Sequence, residues 1–117
     1  MDIAASEFSD NGKYHLALNN VETDSDEMCE YLLRWIDRYP IVSIEDPLSE
    51  NDEEGFKALT KAAGSRIQIV GDDYLVTNAT RVLEAASKKA CNAVLIKPNQ
   101  AGTVTETISA INAAKLS

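Results

Sequence analysis

The sequence predicts an α/β fold in which four β/α units form about half of a (β/α)8 barrel. Short apolar runs alternate with longer amphipathic stretches, the pattern of a parallel sheet covered by helices. The polar residues that close three of the runs, Glu45, Asp72 and Lys97, lie 27 and 25 residues apart. An eight-unit barrel allots roughly 30 residues to each unit, so the spacing suits consecutive barrel segments. No Gly-x-Gly-x-x-Gly follows any run, which removes the dinucleotide fingerprint expected of a doubly wound sheet.

Taken in order, residues 1–6 read as the tail of a strand whose beginning is missing, which suggests a truncated chain. Asp10-Asn-Gly-Lys is a turn signal, and Tyr14 to Leu18 follows as the return arm of a small hairpin, an insertion near residues 8–20. A first helix starts near Ser25, capped by Asp24 or Ser25, with Met28, Leu32, Trp35 and Ile36 on one face; Pro40 stops it. A strand from Ile41 to Glu45 ends at Asp46-Pro47. A second helix, from about Asp52 to Ala63, buries Phe56, Leu59 and Ala63, and Gly64 supplies its C-terminal turn. The next strand is Ile67 to Val70. A helix after Asn78 buries Val82, Leu83 and Ala86 and places Lys88 and Lys89 at its negative end. A strand from Ala93 to Lys97 leads into a last helix, from Thr103 to about Leu116, with Val104, Ile108 and Ile111 inward.

At 117 residues and 44% apolar, the chain is a single domain with a modest core. No stretch is long or apolar enough to cross a bilayer, and the N-terminus lacks a secretory signal, so a cytoplasmic location is expected. Cys29 and Cys91 then read as reduced core thiols. The net charge of −8, from 19 acidic and 11 basic residues, repels phosphate backbones and argues against a nucleic-acid partner. An anionic small substrate stays possible if a cation bridges it. The acidic stretches Glu22 to Glu30 and Ser49 to Glu54 read as solvated helix starts, favoured by the helix dipole.

In a parallel α/β sheet the strand ends share one face, so Asp2, Glu45, Asp72 and Lys97 should converge there. Three carboxylates are the oxygen donors that Mg2+ takes. Each acid taken singly is better explained as a turn former, but three on successive strand ends favour a site. Lys97 is either a lysine snorkelling to the sheet's end or a general base whose neutral form a nearby cation favours.

The runs Ala4-Ala-Ser-Glu-Phe, Tyr39-Pro-Ile-Val-Ser-Ile-Glu-Asp-Pro, Ile67-Gln-Ile-Val-Gly-Asp-Asp, Val76-Thr-Asn and Leu95-Ile-Lys-Pro-Asn-Gln-Ala-Gly-Thr-Val-Thr-Glu-Thr resemble enolase, in order and over essentially the whole chain. The resemblance implies an enolase-type TIM barrel segment of a glycolytic lyase that dehydrates 2-phosphoglycerate to phosphoenolpyruvate. By the same resemblance Asp2, Glu45 and Asp72 match the Mg2+ ligands, Lys97 matches the base, and Asp72 and Lys97 face the substrate; a lysine or histidine base paired with Mg2+ is the general pattern of that superfamily.

The departures are as specific. The N-terminal domain, the general-acid glutamate, the His-Arg-Ser phosphate loop and the second active-site lysine of that family are missing, so the chain looks like the third quarter of an enolase and is expected to be inactive alone. Ser9 stands where an aromatic is usual, Pro98-Asn-Gln-Ala replaces Val-Asn-Gln-Ile, and His15 lies outside every motif as a surface residue. The alternative is a non-catalytic fragment or interaction module that self-associates as a homo-oligomer or complements another chain, because a partial barrel leaves strand edges and a concave face uncovered.

Overall fold

The computed structural model describes residues 1–17 and 20–117 and has a mixed α/β architecture. A single 3-10 turn, Ala5–Phe8, leads into β1 (Ser9–Asp10), β2 (Lys13–Leu16) and β3 (Val21–Thr23). After these come α1 (Ser25–Arg38), β4 (Ser43–Glu45), α2 (Glu53–Ala63), β5 (Gln68–Gly71), α3 (Ala79–Lys88), β6 (Ala93–Val94), α4 (Pro98–Ala101) and α5 (Val104–Leu116).

The central sheet is parallel, in the order β4-β5-β6, with Glu45 paired to Val70 and Val70 to Ala93. Asp2 adds a parallel bridge on the other side of Glu45, and the backbone around it is well paired: Ile3 donates to the Glu45 carbonyl at 3.0 Å and Glu45 to the Met1 carbonyl at 2.8 Å. The first strand expected from the sequence is thus an isolated bridge. The ladder of β6 covers only two residues, although the Leu95 N–H still reaches the Gly71 carbonyl at 3.0 Å.

The sequence at residues 9–13 makes a tight hairpin. Asn11 and Gly12 have φ of 50° and 76°, the left-handed pair that matches the twist of a two-residue turn. A third strand, β3, pairs with β2 and turns the hairpin into a small antiparallel sheet, which the sequence reading did not foresee. Leu18, assigned to the return arm, lies outside the described residues.

Each long helix begins at a side-chain cap. Asp24 and Glu27 form a reciprocal capping box at α1, Asp52 accepts from Gly55 N–H at α2, Asn78 from Thr80 and Arg81 at α3, and Thr103 from Glu106 at α5. Asp52 is also bound from outside its helix. The buried Tyr14 hydroxyl donates to its Oδ2 and accepts the Ser49 N–H, so the acidic stretch at residues 49–54 is more than a solvated surface. Glu53 in the same stretch pairs with Lys57 at 2.7 Å and, across to α3, with Lys88 at 2.8 Å.

The core lies between the sheet and the helices. Ile44 and Ile69, neighbours across β4 and β5, are fully buried with Leu32 of α1 and Phe56 and Leu59 of α2. Alternation along the strands puts these apolar residues on the helix side and Ser43, Glu45, Gln68 and Val70 on the opposite face. That opposite face carries three polar residues and Val70 along β4 and β5. Asn92 ties β5 to the start of β6: its Oδ1 accepts from Ile69 N–H at 2.7 Å while its Nδ2 donates to the Gly64 and Ile67 carbonyls.

Three packing expectations are corrected. In α5 the buried residues are Thr107, Ala110 and Ala113, while Val104 and Ile108 are 72% and 51% exposed. Apolar residues surround this helix on nearly every side, so periodicity selects no face, and its small residues allow the closest approach to α3. In α3 the inward residues are Val82 and Ala85, and Leu83 is half exposed. Gly64 does not adopt a left-handed turn, having φ of −63°. It is needed for space, because a Cβ there would stand 2.6 Å from the Thr60 carbonyl oxygen. No helix of the described residues is long and apolar enough to cross a membrane.

Candidate active site at the strand ends

Glu45 is the last residue of β4, Asp72 follows β5 directly, and Lys97 follows β6 as the residue before α4. Because β4 and β5 run parallel with Glu45 opposite Val70, Asp72 lies two residues further on the same face. The backbone thus delivers three chemically active side chains to one place.

Asp72 is the centre of the group and is only 5% exposed. Its Oδ2 receives a short contact from the Lys97 ammonium, and its Oδ1 accepts from Gln100 Nε2 at 2.7 Å. Burial alone would raise the pKa of Asp72. The hydrogen bonds from Lys97 and Gln100 outweigh it, and the carboxyl is held below its usual range. Glu45 goes the other way: partial burial first, then the negative charge of Asp2 and the neighbouring Asp72, push its pKa up. Lys97, whose side chain is 41% exposed, is pushed up chiefly by its hydrogen bond to Asp72, so in this state it is held as the ammonium.

Asp2 is exposed and adjoins Glu45 through the parallel bridge. Among the described residues, the three carboxylates with oxygens all within 4.8 Å of one another are Asp46, Asp72 and Asp73. We assign Asp46 to structure, because each of its oxygens accepts a backbone N–H from the end of β5. Oδ1 accepts the Asp72 N–H at 2.9 Å and Oδ2 accepts the Asp73 N–H at 2.8 Å. Its own N–H binds the Val70 carbonyl, and its φ of 39° is a conformation that Asp tolerates better than most residues. Burial raises the pKa of Asp46, and the two backbone amides oppose that rise. Asp46 therefore clamps the end of β4 to the end of β5 and aims Asp72.

Sequence reasoning assigned no role to Asp46, Thr77 or Gln100, although Asp46 follows Glu45 directly and Gln100 sits three residues after Lys97. Their contribution comes from backbone and amide contacts, which leave no periodic signal. His15 lies elsewhere, on β2, half exposed and 3.6 Å from Glu22. A cavity of about 380 Å³ between α2, α3 and α5 is lined by Thr60, Leu75, Val82 and Cys91, away from Glu45, Asp72 and Lys97.

A family model described as enolase, C-terminal TIM barrel domain, matches residues 1–117. The chain belongs to the enolase family. It is 55% identical over 113 residues to Enolase 1 of Methylococcus capsulatus, an alignment covering 96% of this chain and 27% of that relative. The chain therefore spans about a quarter of the length of the curated enolase it matches, within the C-terminal domain of the family.

Proposed function

We propose that this chain contributes the metal-binding carboxylates and the proton-abstracting lysine of the enolase reaction, the dehydration of 2-phosphoglycerate to phosphoenolpyruvate. The observation that carries the reading is the meeting of Glu45, Asp72 and Lys97 at parallel strand ends, with Lys97 paired to Asp72. In the reaction Lys97, once neutral, takes the proton alpha to the substrate carboxylate onto Nζ, and hydroxide leaves from the adjacent carbon. Asp72 holds Lys97 in line and favours the ammonium that the proton transfer forms.

The donor set fits a hard divalent cation such as Mg2+. Asp2, Glu45 and Asp72 offer only carboxylate oxygens, and the pKa of Glu45 is raised first by burial and then by the charges of Asp2 and Asp72, with Lys97 opposing the rise. Bound there, the cation would take up part of the charge of Asp72, loosening its hold on Lys97, and stabilise negative charge developing on the substrate carboxylate.

We further propose that the chain alone does not turn over, since the general acid and phosphate loop of the family have no counterpart in it. Groups of that kind contribute factors of roughly 10² to 10⁴ in rate. A coupled assay, with the chain alone and mixed with the complementary enolase segment, tests this: turnover only in the mixture is expected, and magnesium-dependent turnover by the pure chain overturns it. On this reading the protein works in the cytoplasm. The second reading, a non-catalytic module that pairs with a second copy or another chain, draws on the sheet edges at Met1–Ile3 and at β6, beside which no further strand lies among the described residues.

A further inference from the structure

The loop between Asp72 and α3 contains two consecutive β-branched residues in left-handed backbone, Val76 with φ of 45° and Thr77 with φ of 52°. Branching at Cβ makes this region costly, and a chain keeps such residues there only when surrounding contacts over-determine them. The contacts are at Thr77, which is 1% exposed. Its Oγ1 accepts the Lys97 backbone N–H at 2.9 Å and has two acceptors within reach, Gln100 Oε1 at 2.9 Å and, farther off, the Leu95 carbonyl at 3.3 Å. Gln100 then donates from Nε2 to Asp72 Oδ1 at 2.7 Å. The chemistry fixes the direction of this relay. An ionised carboxylate only accepts, so the amide must turn its NH2 to Asp72, which leaves its oxygen for the Thr77 hydroxyl.

We propose that Thr77 is a positioning residue, its hydroxyl holding the Lys97 backbone directly and the Asp72 carboxylate through Gln100; the inference rests on the reading of Asp72 and Lys97 as site residues. Thr77 touches neither reacting atoms nor the acidic cluster. It sets the distance between the two groups that do, because one buried hydroxyl is shared by the strand end bearing the lysine and the side chain that orients the aspartate. The left-handed backbone at Val76 and Thr77 is what turns that hydroxyl toward β6.

The test uses the 117-residue chain with Thr77→Val, which keeps shape and branching and removes the hydroxyl, Thr77→Ser, which restores it, and Gln100→Leu, which cuts only the link to Asp72. Two quantities are read: amide hydrogen exchange at Lys97, and Mn2+ affinity by calorimetry. Loss of one buried hydrogen bond predicts about tenfold faster exchange at Lys97 in Thr77→Val, beyond any change at Ile44 and Ile69, with Thr77→Ser near wild type. Mn2+ affinity should fall several-fold in both Thr77→Val and Gln100→Leu, while Gln100→Leu leaves Lys97 exchange unchanged. A purely structural role would instead lower the melting temperature of Thr77→Val, speed exchange uniformly and leave Mn2+ affinity intact, and that result overturns the proposal. If Thr77→Val does not fold, unchanged Mn2+ affinity in Gln100→Leu overturns it equally. If wild type binds no Mn2+, the proposed function fails, and Lys97 exchange in Thr77→Val against Thr77→Ser still decides whether Thr77 positions the lysine.

Discussion

The Tyr14 hydroxyl lies 2.6 Å from Asp52 Oδ2, joining the hairpin to the first turn of α2. The same oxygen accepts the buried Ser49 N–H at 3.0 Å. Burial first, then the hydrogen bond to Asp52, push the Tyr14 pKa far above its ordinary value, so the phenol stays a donor throughout the working pH range. Tyr14→Phe should therefore leave a buried N–H and a cap carboxylate each short of a partner and destabilise the fold by about 1–3 kcal/mol. Urea unfolding measures this, and a loss below about 0.3 kcal/mol would show that water replaces the hydroxyl at no cost.

Asp46 makes a sharper contrast. Asp46→Ala strips the acceptor from two backbone N–H groups and places Ala at a positive φ, so a loss of about 3 kcal/mol is expected. Asp46→Asn keeps one acceptor oxygen and tolerates the backbone, and should cost about 1 kcal/mol. Equal losses in the two variants would mean that the clamp does not depend on both oxygens.

Metal affinity should follow the strand-end site and not acidity in general. In calorimetric titrations with Mg2+ or Mn2+, Asp72→Asn is expected to weaken binding by about tenfold or more, whereas Glu53→Gln should leave it unchanged, because Glu53 is occupied by Lys57 and Lys88 on the helix surface. Similar losses in both variants would count against the site.

Glu53 supplies a pH dependence of its own. Hydrogen bonds from Lys57 first and Lys88 second lower its pKa to about 2. A carboxyl with a depressed folded-state pKa binds its proton more weakly when folded, so its stabilising effect is complete above the unfolded value and is lost as pH falls toward the folded one. Between pH 4.5 and about 2, wild type should lose stability more steeply than Glu53→Gln. Parallel acid-unfolding curves would mean that solvent screens these exposed pairs.

Both thiols should be sluggish. Burial pushes Cys29 and Cys91 up to about 11, so at pH 8 each is a thiolate in roughly one molecule in a thousand. A disulfide reagent should modify the native chain far more slowly than the urea-unfolded chain, and rapid native labelling would contradict the burial of Cys29 and the partial burial of Cys91.

What the sequence discloses depends on how local the cause is. The starts of α1, α2, α3 and α5 were legible because Asp24, Asp52, Asn78 and Thr103 act within one turn of themselves. The ends of β4 and β5 were legible because an apolar run stops at an acid. The buried face of α5 was not, since only α3 decides between Val104 and Ala110, and the short ladder of β6 depends on β5 alone for its register. The residue types at strand ends singled out Asp2, Glu45, Asp72 and Lys97, and the fold brings Glu45, Asp72 and Lys97 together, but the residues that hold them did not stand out. Asp46 works through backbone N–H groups of another strand, and Thr77 occupies a conformation that its branching disfavours.

The hairpin turn also sets how this protein ages. Asn11 precedes Gly12 in an exposed two-residue turn, and a following glycine leaves the backbone nitrogen unshielded for attack on the asparagine side chain, the route by which asparagine sheds ammonia and becomes aspartate or its iso form. Asn92 carries the same functional group yet is spared, since three hydrogen bonds hold its amide away from its own backbone. Long storage should thus damage the chain first at the tip of the small antiparallel sheet, far from the strand-end carboxylates, and the preparation would drift in charge before it drifts in metal affinity.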